Sequence, residues 1–440
     1  MLNKYNIAMT NIWEYLKTKE IPIHSLLADY SGKVIFEKYH EPYSSKELHR
    51  MFSITKSLCS VAIGYLLEDG RISLDDKISD YFIECRPSEG FHPWIENMTI
   101  RDMLKMETCH SCTTYKINKE TDWVSSFFLV PPTHRSGQIF LYDTSASHTL
   151  AALINKLTGK GILEYLKEKI SDNHIFSDKA YIIKDPFNSE MGGSGLMALP
   201  SDLLHFGRFC MNTVKKGKGI FADYLREAVS FQVPTVHAGT MPDEQQGYGY
   251  HFWSVRGGFA MYGMGGQYVL FYPNADLVIV ITSDTQRLSG ANRIILDIIY
   301  DTLSTYIPLK PISTKNVAPL ICDFSYKLLN NPNKFSMLSL KCDSSFGYLC
   351  LKGIDTIFNI PFSFNEPAIS VMDKYRQRIA VLASQPAAYT LFLQIQIVDE
   401  CVGSIHIMLN FHDKHITVWM NKVEENYFNE FSGFLEGILL

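Results

Sequence analysis

No run of apolar residues in this chain approaches the ~20 that a membrane-crossing helix needs; the longest, such as Leu277-Val278-Ile279-Val280-Ile281, are strand-length. The opening residues, Met1-Leu2-Asn3-Lys4-Tyr5-Asn6 running on to Trp13-Glu14-Tyr15-Leu16-Lys17, carry no continuous apolar stretch of a secretory signal. Basic excess is missing too: 41 Lys and Arg stand against 46 Asp and Glu, a formal net charge of −5. That balance gives no electrostatic case for nucleic acid or an anionic membrane as partner, and leaves a small, roughly neutral molecule as the expected ligand. The nine cysteines are odd in number and scattered, so reduced thiols in a cytoplasmic protein are expected rather than a disulfide framework. Internal repeats, low-complexity tracts and long single-sign charge runs are also lacking. What is present is ordinary globular matter, 46% hydrophobic and 20% charged over 440 residues, which is too long for one compact core and predicts two domains.

Residues 24 to 39 read as a hairpin, His24 to Ala28 and Lys33 to Glu37 turning at Ser31-Gly32. From Ser53 to Asp69 the apolar positions Leu58, Val61, Ala62, Tyr65 and Leu66 recur at helical steps and Gly70 stops the run, predicting a helix with one buried face. Further helices are predicted at about Thr99 to Glu107, Ser145 to Leu157, Gly161 to Ile170 and Pro200 to Met211. Strand patterns return at Gly249 to Val255, Phe259 to Gly263, Gln267 to Tyr272 and Leu277 to Thr282, followed by a helix from Ala291 to Tyr306. Strands, a helical insert, strands again and a closing helix imply an α+β unit: an antiparallel sheet assembled from both ends and flanked by helices, with its site between sheet and insert. Pro308, Pro311 and Pro319 punctuate Ile307 to Leu320 and place the boundary there, giving domains of residues 1–310 and 320–440. The second, with alternating stretches at Gly347 to Leu351, Leu391 to Val398, Val402 to Phe411 and His415 to Met420, reads as a small all-β domain.

Three segments carry chemistry. Ser53-Ile54-Thr55-Lys56 is the only Ser-x-x-Lys in the chain and opens the best helical pattern. One turn places the two side chains on one face, at the positive end of the helix dipole. A desolvated lysine there loses its proton and takes that of serine; the plainer alternative is a capping serine followed by a solvated lysine. Phe140-Leu141-Tyr142-Asp143-Thr144-Ser145 sets an aromatic hydroxyl just before a helix that stops at Thr158-Gly159, as a general acid or base or as a packing tyrosine. Tyr262-Gly263-Met264-Gly265-Gly266-Gln267-Tyr268 lets backbone approach a ligand closely, or makes a tight hairpin turn.

In this order the segments resemble serine β-lactamases and penicillin-binding proteins. The likeness is to the class C β-lactamase-like group that includes esterases, D-amino acid peptidases and 6-aminohexanoate dimer hydrolases. Met51 to Ser57, Gly70-Arg71-Ile72-Ser73-Leu74-Asp75-Asp76, Thr99 to Leu104, Gly195-Leu196-Met197 and Gly247-Tyr248-Gly249-Tyr250 look like the same group, and the likeness covers about residues 20 to 305. The resemblance implies a β-lactamase/transpeptidase-like fold and acyl transfer, with Ser53 as nucleophile, Lys56 as base and Tyr142 as proton shuttle. It further implies an oxyanion hole of the Ser53 and Gln267 backbone amides, and no metal or organic cofactor.

Two departures bear on the substrate. The family's tyrosine motif usually ends in Asn, where this chain has Thr144, and its strand motif begins with Lys or His, where this chain has Met264. A methionine cannot hold the carboxylate of a penicillin or a peptide C-terminus, so an ester or amide outranks a β-lactam. Thr144, Met264, Gly265 and Gly266 are expected to meet substrate; Tyr248, His251 and Trp253 form a substrate wall or plain sheet packing. His148 is expected to be structural, and Cys109-His110-Ser111-Cys112 to be ordinary loop, since no second pair sits at zinc spacing. An idle relative acting as a ligand sensor is the competing function, a true β-lactamase a further one. The C-terminal domain could serve as a module for interaction or homo-oligomer formation.

Overall fold

A two-residue turn starts the sheet. Tyr30 pairs with Lys33 across Ser31 and Gly32, whose φ angles of 52° and 82° are those of a tight hairpin turn matched to strand twist. The hairpin strands β1 (Ile23–Tyr30) and β2 (Lys33–Tyr39) join four later ones, β3 (Trp253–Val255), β4 (Gly258–Gly263), β5 (Gln267–Tyr272) and β6 (Leu277–Ser283), in an antiparallel sheet of order β2-β1-β6-β5-β4-β3. The first strand pairs with the last, Ala28 opposite Ile279, so the sheet is assembled from both ends of its unit as the sequence pattern implies. This is a computed structural model, and it describes residues 2–171, 175–239, 241–310, 317–424 and 426–440.

Among the described residues, the same unit holds seven longer helices: α1 (Leu2–Thr18), α2 (Ile54–Glu68), α3 (Thr144–Thr158), α4 (Ile162–Lys169), α5 (Pro200–Lys216), α6 (Ile220–Ala228) and α7 (Ala291–Ser304). Helix α5 packs on β1, β5 and β6, closely enough that a Cβ on its Gly207 would stand 2.9 Å from Val278. Helices α1 and α7 pack together, and α1 lies along β1 and β2. Covered this way, β5 and β6 are buried along their whole length. Helix α2 departs from the expected single buried face: every residue from Ile54 to Leu66 is buried. Its intervening positions are small or hydroxylated, such as Thr55, Ser57, Ser60 and Gly64, and neighbours close in on them; a Cβ on Gly64 would meet the Tyr224 ring at 2.5 Å.

Two other expectations are shortened for a visible reason. The helix expected over Thr99 to Glu107 spans Ile100–Leu104, ended by Met106 at φ 59°. The strand expected from Gly249 begins at Trp253, because His251 at φ 60° breaks the extended run.

The chain divides into two compact units, one of residues 1–106, 112–131 and 141–313, the other of 107–111, 132–140 and 314–440. The boundary read from the prolines straddles residues 311–316, which lie outside the described residues.

The second unit is more specific than an all-β domain. Its strands are β7 (Cys322–Leu328), β8 (Phe335–Cys342), β9 (Phe346–Gly353), β10 (Ile357–Ser363), β11 (Ala368–Met372), β12 (Gln377–Ala387), β13 (Thr390–Val398), β14 (Val402–His412), β15 (His415–Val423) and β16 (Gly433–Leu439). They run in the order β10-β9-β8-β7-β16-β15-β14-β13-β12-β11. A parallel bridge from Ser363 to Leu382 joins β10 to β12 and closes a barrel. Alternate positions face inward, as along β9, and Leu349, Leu351, Phe358, Ile360, Phe362, Leu393 and Ile407 fill the interior.

Candidate active site

Ser53 sits at the head of α2, where its side chain makes no capping hydrogen bond. The capping-serine alternative is thereby excluded. The strand residues His49–Arg50 pair with Leu196–Ala198, and Met51 N–H donates to Leu196 O at 2.9 Å, fixing the chain as it enters the helix. Phe52 is held at φ 45°, a left-handed conformation costly for a bulky residue, and the Arg50 guanidinium lies 5.1 Å from its ring centre. The strain falls one residue before the candidate nucleophile.

Lys56 is not solvated: it is 1% exposed. Its Nζ lies 3.0 Å from Ser53 Oγ and donates to Gly193 O at 2.6 Å. Burial lowers its pKa to about 7, with the charge of Asp143 opposing that fall, so a large fraction is neutral at neutral pH. Asp143, in turn, caps α3 by accepting from the Ser145 amide at 2.8 Å. Gly193 has room for no side chain, since a Cβ there would stand 2.4 Å from Thr144 Cγ2 and 3.5 Å from Lys56 Nζ.

Tyr142 completes the corner. Ser53 stands close enough to its hydroxyl to pull its pKa down, and Lys56 Nζ lies 4.8 Å from its ring centre. Although 37% of its surface is open, desolvation holds its phenol above the usual range, against the contrary pull of Ser53. The phenol is therefore neutral where the lysine is titrating. Trp253 stacks on its ring at 5.7 Å, Tyr248 meets it edge-on at 6.3 Å, and both are buried. They brace Tyr142 from behind.

His251 is not on a substrate wall. Its ring is 2% exposed, lies 3.0 Å from Lys56 O through Nδ1 and 3.3 Å from Ser147 Oγ through Nε2, and burial lowers its pKa to about 3. A neutral ring supports the backbone of the lysine turn. Thr144 touches the Gly193 position. Met264 is 52% exposed at the tip of the β4–β5 hairpin, whose Gly265 and Gly266 both have φ 82° as a tight turn requires. That hairpin borders Ser53: a Cβ on Gly263, the register partner of Gln267, would stand 3.2 Å from the Ser53 amide nitrogen. The Gln267 side chain is occupied elsewhere, donating to Ser283 O at 2.7 Å. His148 lies buried, 3.2 Å from Asp185.

Sequence reasoning missed Gly193, Asp143 as cap and charge, and the strained Phe52. Only Asp143 had a readable signal, an acidic residue just before a helical run.

An antiparallel sheet flanked by helices, with serine, lysine and tyrosine at one corner, defines a serine-hydrolase-like architecture. The chain matches the Beta-lactamase family over residues 12–299 and belongs to it; it is a hydrolase of the β-lactamase fold. It is similar to the 6-aminohexanoate-dimer hydrolase of Paenarthrobacter ureafaciens, 22% identical over 297 residues that cover 61% of this chain and 75% of that protein. Among solved structures it resembles one from Bacillus anthracis carrying the same hydrolase name, with TM-score 0.56, 21% identity, and coverage of 67% of this chain and 81% of that one. The octameric penicillin-binding protein homologue from Pyrococcus abyssi spans both units, covering 98% of this chain and 99% of its own at TM-score 0.50 and 15% identity. Among the described residues no helix is long and apolar enough to cross a membrane.

Proposed function

We propose that the protein is a serine hydrolase that cleaves an ester or amide through an acyl-enzyme. The observation that carries this is a lysine buried to 1% exposure with Nζ 3.0 Å from Ser53 Oγ. In this reading the neutral Lys56 amine takes the Ser53 proton as Oγ bonds to the substrate carbonyl carbon. The tetrahedral oxyanion is held by the backbone amides of Ser53 and Gln267. The Tyr142 hydroxyl gives its proton to the departing alkoxide or amine and is reprotonated from Lys56. Water then attacks the acyl carbon, returning a proton along the same path and freeing Ser53.

Exposed Met264 offers no cation, so the acyl donor is one whose recognition does not need a carboxylate at that position. The relative's name makes a short amide such as the 6-aminohexanoate dimer a rational probe. The test is intact-protein mass spectrometry after a fluorophosphonate and, separately, a penicillin, together with turnover of p-nitrophenyl esters and of that dimer, for wild type and Ser53→Ala. A Ser53-dependent phosphonyl adduct with ester or amide turnover and no penicilloyl adduct is expected. An adduct without turnover would favour a ligand sensor, and Ser53→Ala retaining full turnover would overturn the assignment.

A further inference from the structure

Each of the nine cysteines is a free thiol, and two of them meet inside the second unit. Cys322 is the first residue of β7 and Cys342 the last of β8, and the antiparallel register sets them directly opposite one another. Both side chains turn inward, 8% and 5% exposed, as members of the barrel core, and their sulfurs lie 3.6 Å apart. Residues facing one another across an antiparallel pair have Cα atoms about 4.5–5.5 Å apart, inside the roughly 4.4–6.8 Å that a disulfide spans. Bringing the sulfurs to the bonded distance of about 2.04 Å therefore asks for rotation of two side chains rather than a change of strand register.

The hydrogen bonds give the two thiols different parts. Cys342 Sγ lies 3.1 Å from Leu320 O, and a carbonyl can only accept, so the Cys342 proton points there. Its sulfur is left to accept from the Cys322 thiol. That bond draws the Cys342 thiol below the usual range, against burial and the charge of Asp343. The same bond, with burial, pushes Cys322 up. The thiolate is the nucleophilic form, so Cys342 is the sulfur that reacts first and Cys322 the one that resolves.

We propose that Cys322 and Cys342 are a modification site, a dithiol that a peroxide converts to a disulfide stapling β7 to β8. The Cys342 sulfur attacks one peroxide oxygen; an S–O bond forms, the O–O bond breaks, and the departing hydroxide leaves as water with the thiol's proton, giving a sulfenic acid. The Cys322 sulfur then attacks the Cys342 sulfur; the S–S bond forms, the S–O bond breaks, and the hydroxyl leaves as water with the Cys322 proton. Two thiols and one hydrogen peroxide thus become one disulfide and two waters, and a dithiol reductant reverses the change. The link joins residues 20 apart in sequence, so it restricts the unfolded chain and raises the stability of the barrel.

The test is peptide mapping of the full-length chain. Cys350→Ser serves as the parent, because trypsin leaves Cys350 on the same peptide as Cys342, between Lys341 and Lys352. The protein is exposed to hydrogen peroxide, quenched with catalase, denatured, alkylated with N-ethylmaleimide and digested without reductant. The expected product joins peptide 316–327 to peptide 342–352, two hydrogens lighter than the pair apart, in chains that run as monomers on a non-reducing denaturing gel. Dithiothreitol should remove it. With Cys322→Ser the link should be absent and Cys342 should pass on to the sulfinic or sulfonic acid, since no resolving thiol faces it. Calorimetry of the oxidised parent should place the barrel transition at least about 3 °C above that of the reduced chain, a shift that peroxide-treated Cys322→Ser lacks. Recovery of Cys322 and Cys342 as alkylated thiols after the exposed Cys112 has been oxidised, or a link found only between chains, would overturn the proposal. A link without the higher midpoint would overturn its action as a staple.

Discussion

The first unit buries polar and apolar groups alike, whereas the barrel buries almost nothing but carbon. Around the sheet and α2, buried groups include Lys56, Asp143, His251, Gln267 and Ser283, and the hydroxyls of Ser25 and Thr282 meet at 2.6 Å between β1 and β6. In the described barrel strands and turns the buried polar side chains are Thr390, Thr417 and Glu436. Polar groups are retained inside a protein when each finds a partner, and they make the interior sensitive to geometry and charge. The contrast teaches where chemistry can reside. The first unit holds titratable groups poised against one another, and the barrel gains stability from packing, with Glu436 as its exception.

Lys56→Met would break the contrast most sharply, by making the first unit's centre as apolar as the barrel. Loss of the base should lower kcat/KM by at least about 10³-fold. The wild-type kcat/KM should rise as pH passes about 7, where burial has lowered the Lys56 pKa, since only the deprotonated amine acts as base. Stability should rise with pH as well. With the folded-state pKa below the usual 10.5, the unfolded chain binds more protons between about pH 7 and 10.5, so wild-type stability rises with pH across that window. The methionine variant lacks this slope and should melt about 2–4 °C higher at pH 7. A lower Tm would mean that the hydrogen bond to Gly193 O outweighs the desolvation of the amine.

How much of this was legible follows the same division. Ser53, Lys56 and Tyr142 could be singled out because each lies at a helix start that local pattern reveals, and Ser31-Gly32 marked the first hairpin. Helix α1 was overlooked even though its buried Tyr5, Ala8, Met9, Ile12, Trp13 and Leu16 recur at helical spacing. The barrel strands β7, β8, β10, β11, β12 and β16 were not singled out either. Closure by Ser363 and Leu382 depends on a register that no local signal sets. Least legible was the folding of residues 132–140 with the barrel. Arg135 and Glu436 are 301 residues apart, and residues 132–140 fall within the range 1–310 that the prolines assign to the first domain.

Phe362→Ala tests the barrel's side of the comparison. Phe362 is fully buried in a packed interior, so truncation should cost about 3–5 kcal/mol of barrel stability, read from denaturant unfolding, with kcat of the remaining folded enzyme unchanged at 25 °C. A fall in kcat without loss of stability would show that the barrel core does more than pack. Gly193→Ala probes the opposite case with one methyl group. It would press on Thr144 and approach Lys56, so about 1–3 kcal/mol of overpacking should come with a roughly tenfold lower kcat. Wild-type kinetics would show that the Gly193 carbonyl does not hold the lysine.

The smallest effect separates the units by acid. In the first unit His24 Nδ1 lies 2.8 Å from His49 Nε2, while His49 Nδ1 lies 3.0 Å from Arg50 O and the His24 ring stacks on Tyr43 at 3.9 Å. The carbonyl requires a proton on His49 Nδ1, which leaves His49 Nε2 to accept from His24 Nδ1, so a further proton can enter without breaking that bond only at His24 Nε2. Burial, reinforced by His49 and opposed by Asp284, lowers the His24 pKa to about 4, and burial lowers His49 as well. An unfolded histidine titrates near 6.5. Between about pH 4 and 6.5 the unfolded chain therefore binds more protons, and the first unit should lose stability as pH falls through that window. His24→Gln keeps a donor to His49 but cannot titrate, and should flatten the decline by about 1–2 kcal/mol between pH 6.5 and 4.5, measured by denaturant unfolding at each pH. Parallel declines in variant and wild type would move the acid sensitivity to another buried histidine. His251, whose pKa burial lowers to about 3, would then be the next to replace, because it shares a hydrogen bond with the Lys56 turn and would couple acid unfolding directly to the site.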